Sequence, residues 1–129
     1  MSIGELEAQT RTPASALRFY ERRGLLPLPP RVAGKRRYPP AAADRVRLIR
    51  MWQDAGFSLR EIAQLLHDRK RRDTWKQLVR TKIEELTVRQ AEVERARQQL
   101  AHALLCRAPD WTTCPTMRAA ADAGAFPID

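Results

Sequence analysis

ALRFYERRGLL, residues 16–26, is the most informative stretch of this chain. Arg18 and Arg22 lie four positions apart, which places them on one face of a helix. Leu17 and Phe19 are apolar and are expected to belong to the core. The stretch therefore predicts a short helix with a buried side and a basic, exposed side, and guanidinium groups on such a side can reach phosphates or base edges.

Two short helices are predicted at the start of the chain. Ser2 and Glu5 have the spacing of a capping box, which predicts the beginning of a first helix. Thr12 is expected to cap a second helix whose first residue is Pro13, because the missing N–H of proline costs nothing at that position. Gly24 suits the left-handed cap that would end this helix. With only a tight turn between them, the two helices predict a helix-turn-helix.

A wing is predicted directly after the second helix. The segment PLPPRVAGKRRYPP, residues 27–40, contains too many prolines for a helix. Gly34, flanked by Val32 and Tyr38, suits the turn of a short β-hairpin. The sequence therefore predicts a winged helix-turn-helix.

Two further helices should complete a small head. Residues 41–55 have a helical pattern of apolar positions and are followed by Gly56, a suitable left-handed cap. Ser58 and Glu61 repeat the capping-box spacing and predict another short helix. The head is therefore expected to be mainly α-helical.

A long helix is predicted from Asp73 to Leu104, where the chain contains no Gly or Pro. At 1.5 Å per residue this helix would be about 48 Å long. Apolar residues recur along it at intervals of seven, namely Val79, Leu86, Val93 and Leu100, with Ile83 and Leu104 on the neighbouring seam. Such a row predicts dimerisation through a coiled coil, and the alternative is a long helix packed on its own domain.

The net charge of +9 is carried entirely by the first part of the chain. Residues 1–72 contain sixteen Lys or Arg and seven Asp or Glu, whereas residues 73–129 contain eight of each. This asymmetry indicates a nucleic-acid-binding head on a neutral assembly module, with a solvated basic surface as the alternative. We therefore expect a DNA-binding domain at 1–72, a dimerisation helix at 73–105 and an effector-sensing loop and tail at 106–129.

Enzymes and membrane proteins are disfavoured by what the sequence lacks. His67 and His102 are the only histidines, and there is no Gly-rich phosphate loop, nucleophile elbow or HExxH motif. No run of eighteen apolar residues and no signal peptide is present, so a cytoplasmic protein without membrane contact is expected. A non-regulatory DNA-binding protein, such as a nucleoid protein, is an alternative that gives no role to the C-terminal cysteines.

Three motifs in this order, IGELEAQTRTPASALRFYERRGLL, AGKRRY and GFSLREIAQLL, resemble the DNA-binding head of the MerR family of bacterial transcription regulators. The resemblance covers residues 3–104, and the long heptad helix lies where that family has its dimerising coiled coil. It implies a mainly α-helical fold: a winged helix-turn-helix head, an antiparallel coiled coil between two copies, and a short C-terminal effector loop. It also implies a homodimer on double-stranded promoter DNA that bends and untwists the DNA on binding its effector, so that RNA polymerase can use the promoter.

The DNA-contacting residues are predicted from the recognition helix and the wing. Arg18 and Tyr20 match the recognition-helix contacts of the family, and Arg36 and Tyr38 match its wing. Lys35 lies where the family often has an aromatic residue, which suggests a phosphate contact in place of stacking. The full predicted set is Ser15, Arg18, Tyr20, Arg22, Arg31, Lys35, Arg36 and Tyr38.

The only two cysteines, Cys106 and Cys114, are separated by seven residues and followed by Pro115. Several metal-responsive MerR members carry a similar Cys-x7-Cys-Pro loop just after the dimer helix. Two thiolates on one short loop suit a monovalent d10 ion, so Cu(I) or another thiophilic metal is the expected effector, whereas zinc would need His102 and a further ligand. Because Pro115 suits the first position of a helix, Cys114 is expected at the N-cap and should be the more acidic thiol.

Two other kinds of effector stay open. Where metal-sensing members present a Ser or Cys near the start of the dimer helix, this chain reads RKRRDTW, residues 69–75. An arginine there could neutralise an anionic dithiolate or could serve a thiol switch. A flexible loop of this length can also bring Cys106 and Cys114 to disulfide distance, and a disulfide there would make the chain a redox regulator. A regulator that responds to an organic effector is the third alternative.

Overall fold

The computed structural model describes residues 1–123 and is mainly helical, as predicted. The chain divides into two compact units, Met1–Lys82 and Ile83–Asp129. The helices are α1 (Ile3–Thr10), α2 (Ala14–Arg22), α3 (Pro40–Asp54), α4 (Leu59–His67), α5 (Arg72–Ala103) and α6 (Pro115–Ala123), and the strands are β1 (Arg31–Val32) and β2 (Lys35–Arg36). A 3-10 turn at Trp111–Thr113 precedes α6.

Side-chain caps begin α1 and α4, as the sequence predicts. The Ser2 hydroxyl accepts a hydrogen bond from the backbone N–H of Glu5 at 3.1 Å, and the Ser58 hydroxyl accepts one from Glu61 at 3.1 Å. In both cases the glutamate side chain reaches back to the N-cap backbone and completes the capping box. These boxes satisfy N–H groups that a helix otherwise leaves without partners.

Left-handed glycines end α2 and α3, which is also as predicted. Gly24 has a φ of 72° and Gly56 has a φ of 99°. After Gly24, the N–H of Leu25 donates to the carbonyl of Tyr20 at 2.9 Å, and the end of α3 has the equivalent bond. This is the Schellman pattern, in which glycine adopts a backbone conformation that strains other residues.

The start of α2 differs from the predicted cap. Pro13 directly precedes the helix, and its side chain provides no capping hydrogen bond. The backbone N–H of Ala14 donates instead to Glu7 Oε2 at 3.1 Å. Thr12 is fully buried, and its hydroxyl accepts a hydrogen bond from Arg50 of α3 at 3.1 Å. The prediction of a Thr12 cap is wrong because a carboxylate of α1 caps α2 and a guanidinium of α3 engages Thr12.

The hydrophobic core of the first unit is formed by side chains from α1, α2, α3 and α4, together with Tyr38 just after the wing. Its fully buried side chains include Leu6, Leu17, Leu25, Leu26, Tyr38, Val46, Ile49 and Ile62. Trp52 and Phe57 pack edge to face with their ring centroids 5.2 Å apart, a geometry that contributes about 0.5–1.5 kcal/mol beyond area burial. The core therefore holds α2 and the wing on one scaffold.

The first turns of α5 belong to the head. Trp75, Leu78 and Val79 pack against the head core, and Lys82 Nζ lies 3.0 Å from a carboxylate oxygen of Glu61. The first compact unit therefore extends to Lys82. Val79, which the heptad pattern assigns to the dimer row, is partly buried against the core of its own chain.

The rest of α5 exposes a row of apolar side chains. No residue of the 32-residue helix is fully buried. The exposed positions of the heptad pattern are Ile83 (57%), Leu86 (41%), Val93 (58%), Leu100 (70%) and, just beyond the helix, Leu104 (87%). Along residues 1–123, no helix combines the length and apolar character needed to cross a membrane. A partner helix that covers this row would remove its apolar surface from water.

Candidate DNA interface and effector loop

A basic depression lies where the start of α1, the recognition helix α2 and the wing meet. Its volume is about 400 Å³, and it is lined by Ser2, Ile3, Arg18, Arg31, Lys35 and Arg36. The four cations of this set were all predicted from the sequence as DNA contacts, and the fold brings them together. Their guanidinium and ammonium groups can donate hydrogen bonds to phosphate oxygens.

The exposed face of α2 carries further candidates. Ser15, Arg18 and Arg22 are all exposed. Phe19, which was expected in the core, is only half-buried, and the guanidinium groups of Arg22 and Arg23 lie 5.6 and 5.0 Å from its ring centroid. Cation–π attraction restrains both arginines. Arg23 lies just after the end of α2.

The wing is an antiparallel hairpin in which Arg31 pairs with Arg36 and Val32 pairs with Lys35. Arg31 Nη1 donates to the carbonyl of Gly34 at 3.1 Å, which restrains the arginine across the turn. Like charges directly opposite on neighbouring strands repel each other. Glu21 offsets part of this repulsion, because its Oε2 lies 3.1 Å from Arg36 Nη1.

Tyr20 and Tyr38 lie in the core of the head. Their exposed fractions are 4% and 2%. The Tyr20 hydroxyl donates to Gln53 Oε1 at 2.8 Å, and the Tyr38 hydroxyl donates to Glu21 Oε1. Burial raises the pKa of both hydroxyls, so both remain protonated donors. The predicted phosphate contacts of the two tyrosines disagree with the structure, because both hydroxyls already have partners inside the head.

The candidate effector loop, residues 104–114, joins α5 to α6 and contains both cysteines. Cys106 is half-buried, whereas Cys114 is 5% exposed. The Asp110 side chain accepts a backbone N–H at 2.9 Å and stabilises the 3-10 turn between them. Helix α6 begins at Pro115, as predicted, and the Cys114 carbonyl accepts the N–H of Arg118 at 3.0 Å. Cys114 therefore occupies the N-cap of α6.

The two thiols differ in acidity in the predicted direction. A hydrogen bond from the Cys106 thiol, followed by bonds from the backbone N–H groups of Met117 and Thr116, lowers the pKa of Cys114 below its ordinary value. The same bond to Cys114 raises the pKa of Cys106, because losing that proton would remove the bond. Pro115 predicts the helix N-terminus beside Cys114, whereas the influence of Cys106 on the pKa of Cys114 depends on how the loop folds.

Cys114 is expected to ionise at a lower pH than Cys106. A lowered pKa keeps the thiolate present below the pH at which an ordinary thiol ionises, and the thiolate is the nucleophile. Alkylation rates measured against pH on Cys106→Ser and Cys114→Ser chains should therefore give the lower apparent pKa where Cys114 remains. Because Cys114 is buried, the apparent pKa is more diagnostic than the absolute rate. A lower apparent pKa for Cys106 would contradict the N-cap assignment.

The donor set at the effector loop consists of two sulfurs. Within residues 1–123 of one chain, no group of three or more His, Cys, Asp or Glu could hold a metal ion. His102, the predicted additional ligand, is half-buried and does not form such a group with Cys106 and Cys114. Two thiolates fit an ion that accepts two ligands, and they do not complete the four-ligand site that zinc ordinarily requires.

Two family models match most of the chain. Residues 1–69 match the MerR helix-turn-helix family regulatory protein, and residues 43–103 match the MerR DNA-binding region. The chain belongs to the MerR family. MerR membership confirms the resemblance inferred from the sequence motifs.

Curated MerR relatives match over different lengths. The HTH-type transcriptional regulator CueR of Salmonella typhi is 30% identical over 121 residues, which are 89% of this chain and 88% of the relative. HmrR of Rhizobium leguminosarum bv. viciae is 28% identical over 128 residues, 95% of this chain and 98% of the relative. The mercuric resistance operon regulatory protein of Serratia marcescens is 43% identical over 67 residues, 51% of this chain. The match covers 46% of that protein, so the chain spans about half the length of the mercuric regulators it matches.

The MerR fold also matches a solved structure along most of the chain. The transcription regulator PbrR691 from Ralstonia metallidurans CH34, crystallised in complex with lead(II), is 30% identical with a TM-score of 0.73. The match covers 92% of this chain and 98% of that chain. The structural likeness therefore extends beyond the head into the C-terminal unit.

Proposed function

We propose that this chain is a transcription regulator that binds double-stranded promoter DNA as a homodimer and senses a thiophilic metal ion at Cys106 and Cys114. The proposed ion is Cu(I). The observation that carries the proposal is the placement of two free cysteines on the one short loop between α5 and α6, with Cys114 at the start of α6. RNA polymerase at the same promoter is the proposed downstream partner.

The two-sulfur donor set supports a monovalent d10 ion. Thiolates are soft ligands that select Cu(I), and two of them suffice for near-linear coordination. Cys114 already favours the thiolate, and Cys106 would release its proton on binding, as metal-binding thiols do. A mercuric resistance regulator and a protein crystallised with lead(II) are among the relatives, which agrees with a thiophilic effector.

A titration of the reduced, full-length chain with Cu(I) tests this assignment. Ultraviolet thiolate-to-metal absorption should saturate at about one ion per chain, because each chain offers one pair of sulfurs. Ag(I) should compete with Cu(I), whereas Zn(II) should not displace it. The absence of a saturable band with Cu(I) would remove the metal proposal.

A thiol redox switch is the second candidate, favoured by the presence of two free cysteines on one short loop. Hydrogen peroxide would oxidise the two thiols to one disulfide and would itself be reduced to two molecules of water. Free thiols are counted before and after peroxide, and promoter activity is measured for both forms. If peroxide alone activates the promoter and Cu(I) does not, the redox candidate replaces the metal candidate.

The basic depression and the exposed row of α5 support binding to DNA as a dimer. The depression gathers four cations from α2 and the wing, and the head carries the whole net positive charge of the chain. Two heads joined by a dimer helix would bind two half-sites related by the twofold symmetry of the dimer. In the proposed mechanism, loading of the effector loop changes how the two heads hold the promoter and untwists it.

Arg18→Ala is expected to weaken DNA binding without affecting dimerisation. The probe, the selected duplex, is the DNA that the wild-type chain selects from a random library. Its control is a scrambled duplex of the same base composition. For a wild-type dimer that neutralises about 6–10 phosphates, affinity should fall by about 10³–10⁵-fold between 50 and 200 mM salt. Loss of Arg18 should reduce the binding free energy by about 1–3 kcal/mol. If Arg18 contacts a phosphate, affinity should also depend less steeply on the salt concentration.

Arg89→Ala is the matched control for Arg18→Ala. Arg89 is an exposed arginine of α5, outside the head. Its loss removes the same charge as Arg18→Ala without touching the proposed DNA interface. Sedimentation should find a dimer for both variants. Equal affinities of the two variants for the selected duplex would contradict the assignment of α2 as the recognition helix.

A further inference from the structure

Glu21 is a buried acid on the recognition helix. Its side chain is only 3% exposed, and the two residues that follow it are arginines. A buried carboxylate is costly unless it is paired and hydrogen-bonded. Glu21 therefore needs partners that the rest of the head must supply.

Both partners of Glu21 come from the wing. Arg36 Nη1 of strand β2 lies 3.1 Å from Glu21 Oε2. The Tyr38 hydroxyl, two residues beyond that strand, donates to Glu21 Oε1. One carboxylate thus connects α2 to the outgoing arm of the wing through two separate side chains.

Arg36 connects this buried pair to the DNA interface. Its side chain remains 32% exposed and lines the basic depression together with Arg18. Because the guanidinium is planar, an ion pair at one edge restricts the direction in which its other N–H groups point. The carboxylate of Glu21 therefore orients an arginine whose exposed part faces the proposed position of the DNA.

Affinity by itself does not account for a carboxylate at this place. A negative charge beneath a basic surface cancels one positive charge and weakens the attraction of any duplex. Recognition of one sequence has a further requirement, because base contacts need side chains held at fixed positions and general phosphate attraction does not. The carboxylate of Glu21 therefore weakens the general attraction of DNA, and in exchange it holds the wing in a fixed orientation.

We propose that Glu21 is a specificity-determining positioning residue. It holds the wing, through Arg36 and Tyr38, in the orientation in which the wing and α2 engage one DNA sequence together. This inference rests on the proposed function, in which α2 and the wing form the DNA interface.

Glu21→Gln in the full-length chain tests the proposal with the selected and scrambled duplexes. Affinity for the scrambled duplex should stay constant or rise, because one negative charge is removed. Affinity for the selected duplex should fall, so that the ratio of the two affinities drops by at least about tenfold. An unchanged ratio, or an equal loss of affinity for both duplexes, overturns the proposal.

Asp44→Asn is the matched control for charge. Asp44 lies on α3, its side chain is 77% exposed, and it pairs with Arg47 at 3.3 Å. This substitution removes the same charge from the head without touching the wing. The ratio of affinities should stay within about twofold of wild type, as for most surface substitutions.

Tyr38→Phe keeps the proposal testable if Glu21→Gln does not fold. The phenylalanine ring can fill the same core space, and only the hydroxyl that donates to Glu21 is lost. The affinity ratio should fall while sedimentation still finds a dimer and circular dichroism still finds a folded chain. If the ratio is unchanged in this variant, the proposal is overturned.

Arg18→Ala separates failure of this inference from failure of the proposed function. If Arg18→Ala weakens binding while Glu21→Gln preserves the affinity ratio, only the role of Glu21 is wrong. If neither substitution affects binding to the selected duplex, the interface lies elsewhere and both proposals fail.

Discussion

Val93→Asp is expected to convert the homodimer into monomers and to abolish binding to the selected duplex. Val93 is 58% exposed in the single chain and lies on the heptad row with Leu86 and Leu100. In the proposed coiled coil a partner helix covers this row, so the substitution would bury one carboxylate from each chain. An unpaired buried charge costs several kcal/mol, enough to weaken dimerisation by more than about 100-fold.

Val88→Asp provides a control of the same chemistry on the same helix. Val88 is 59% exposed, but it lies two positions after Leu86 and therefore on a different face of α5. Sedimentation should find a dimer for Val88→Asp and a monomer for Val93→Asp at micromolar concentration. If Val93→Asp remains a dimer that binds the selected duplex, the heptad row is not the dimer interface.

Loss of either cysteine is expected to eliminate the response to Cu(I). Cys106→Ser and Cys114→Ser each leave one thiolate, and one thiolate cannot complete two-sulfur coordination. Loss of a group that merely supports a ligand typically lowers metal affinity by about 10–100-fold, so loss of a ligand should cost at least as much. Transcription from the promoter, measured with and without Cu(I), should no longer differ, while binding to the selected duplex is retained.

Thr113→Ser is the control within the same loop. Its hydroxyl donates to the Asp110 carbonyl at 2.9 Å, a bond that serine can also make, so the loop and its response should be preserved. If either cysteine variant responds to Cu(I) as wild type does, the two-sulfur sensor is wrong. If Thr113→Ser also loses its response, the loop geometry and not the sulfurs would explain the cysteine results.

Several features of the fold could be predicted because they depend on residues close together in the chain. Each capping box needs a serine and a glutamate three positions apart, as at Ser2 and Ser58. The ends of α2 and α3 need only a residue that tolerates a left-handed backbone, and Gly24 and Gly56 supply it. Pro115 likewise predicts the start of α6. The position of Cys114 at that start in turn predicts a lower pKa for its thiol than for the thiol of Cys106.

The candidate sites were predictable to a different extent. Arg18, Arg31 and Lys35 were identified because MerR-like motifs place them on a recognition helix and a wing. Their convergence on one depression depends on how those two elements pack. His102 has suitable chemistry and spacing for a ligand, yet the described fold does not gather it with the cysteines.

The starts of α1 and α4, the glycine-capped helix ends, the wing and the long helix follow from sequence alone, because capping bonds and backbone preferences act over a few residues. The cap of α2 does not, since Glu7 of α1 supplies it. The packed structure decided which side chains became buried partners. The Tyr38 hydroxyl meets Glu21 across 17 positions, and the Tyr20 hydroxyl meets Gln53 across 33. Burial depends on which elements cover a side chain, and a local pattern does not contain that information. Two tyrosines that matched a DNA-contact motif are therefore core residues, and Glu21 became the link between the recognition helix and the wing.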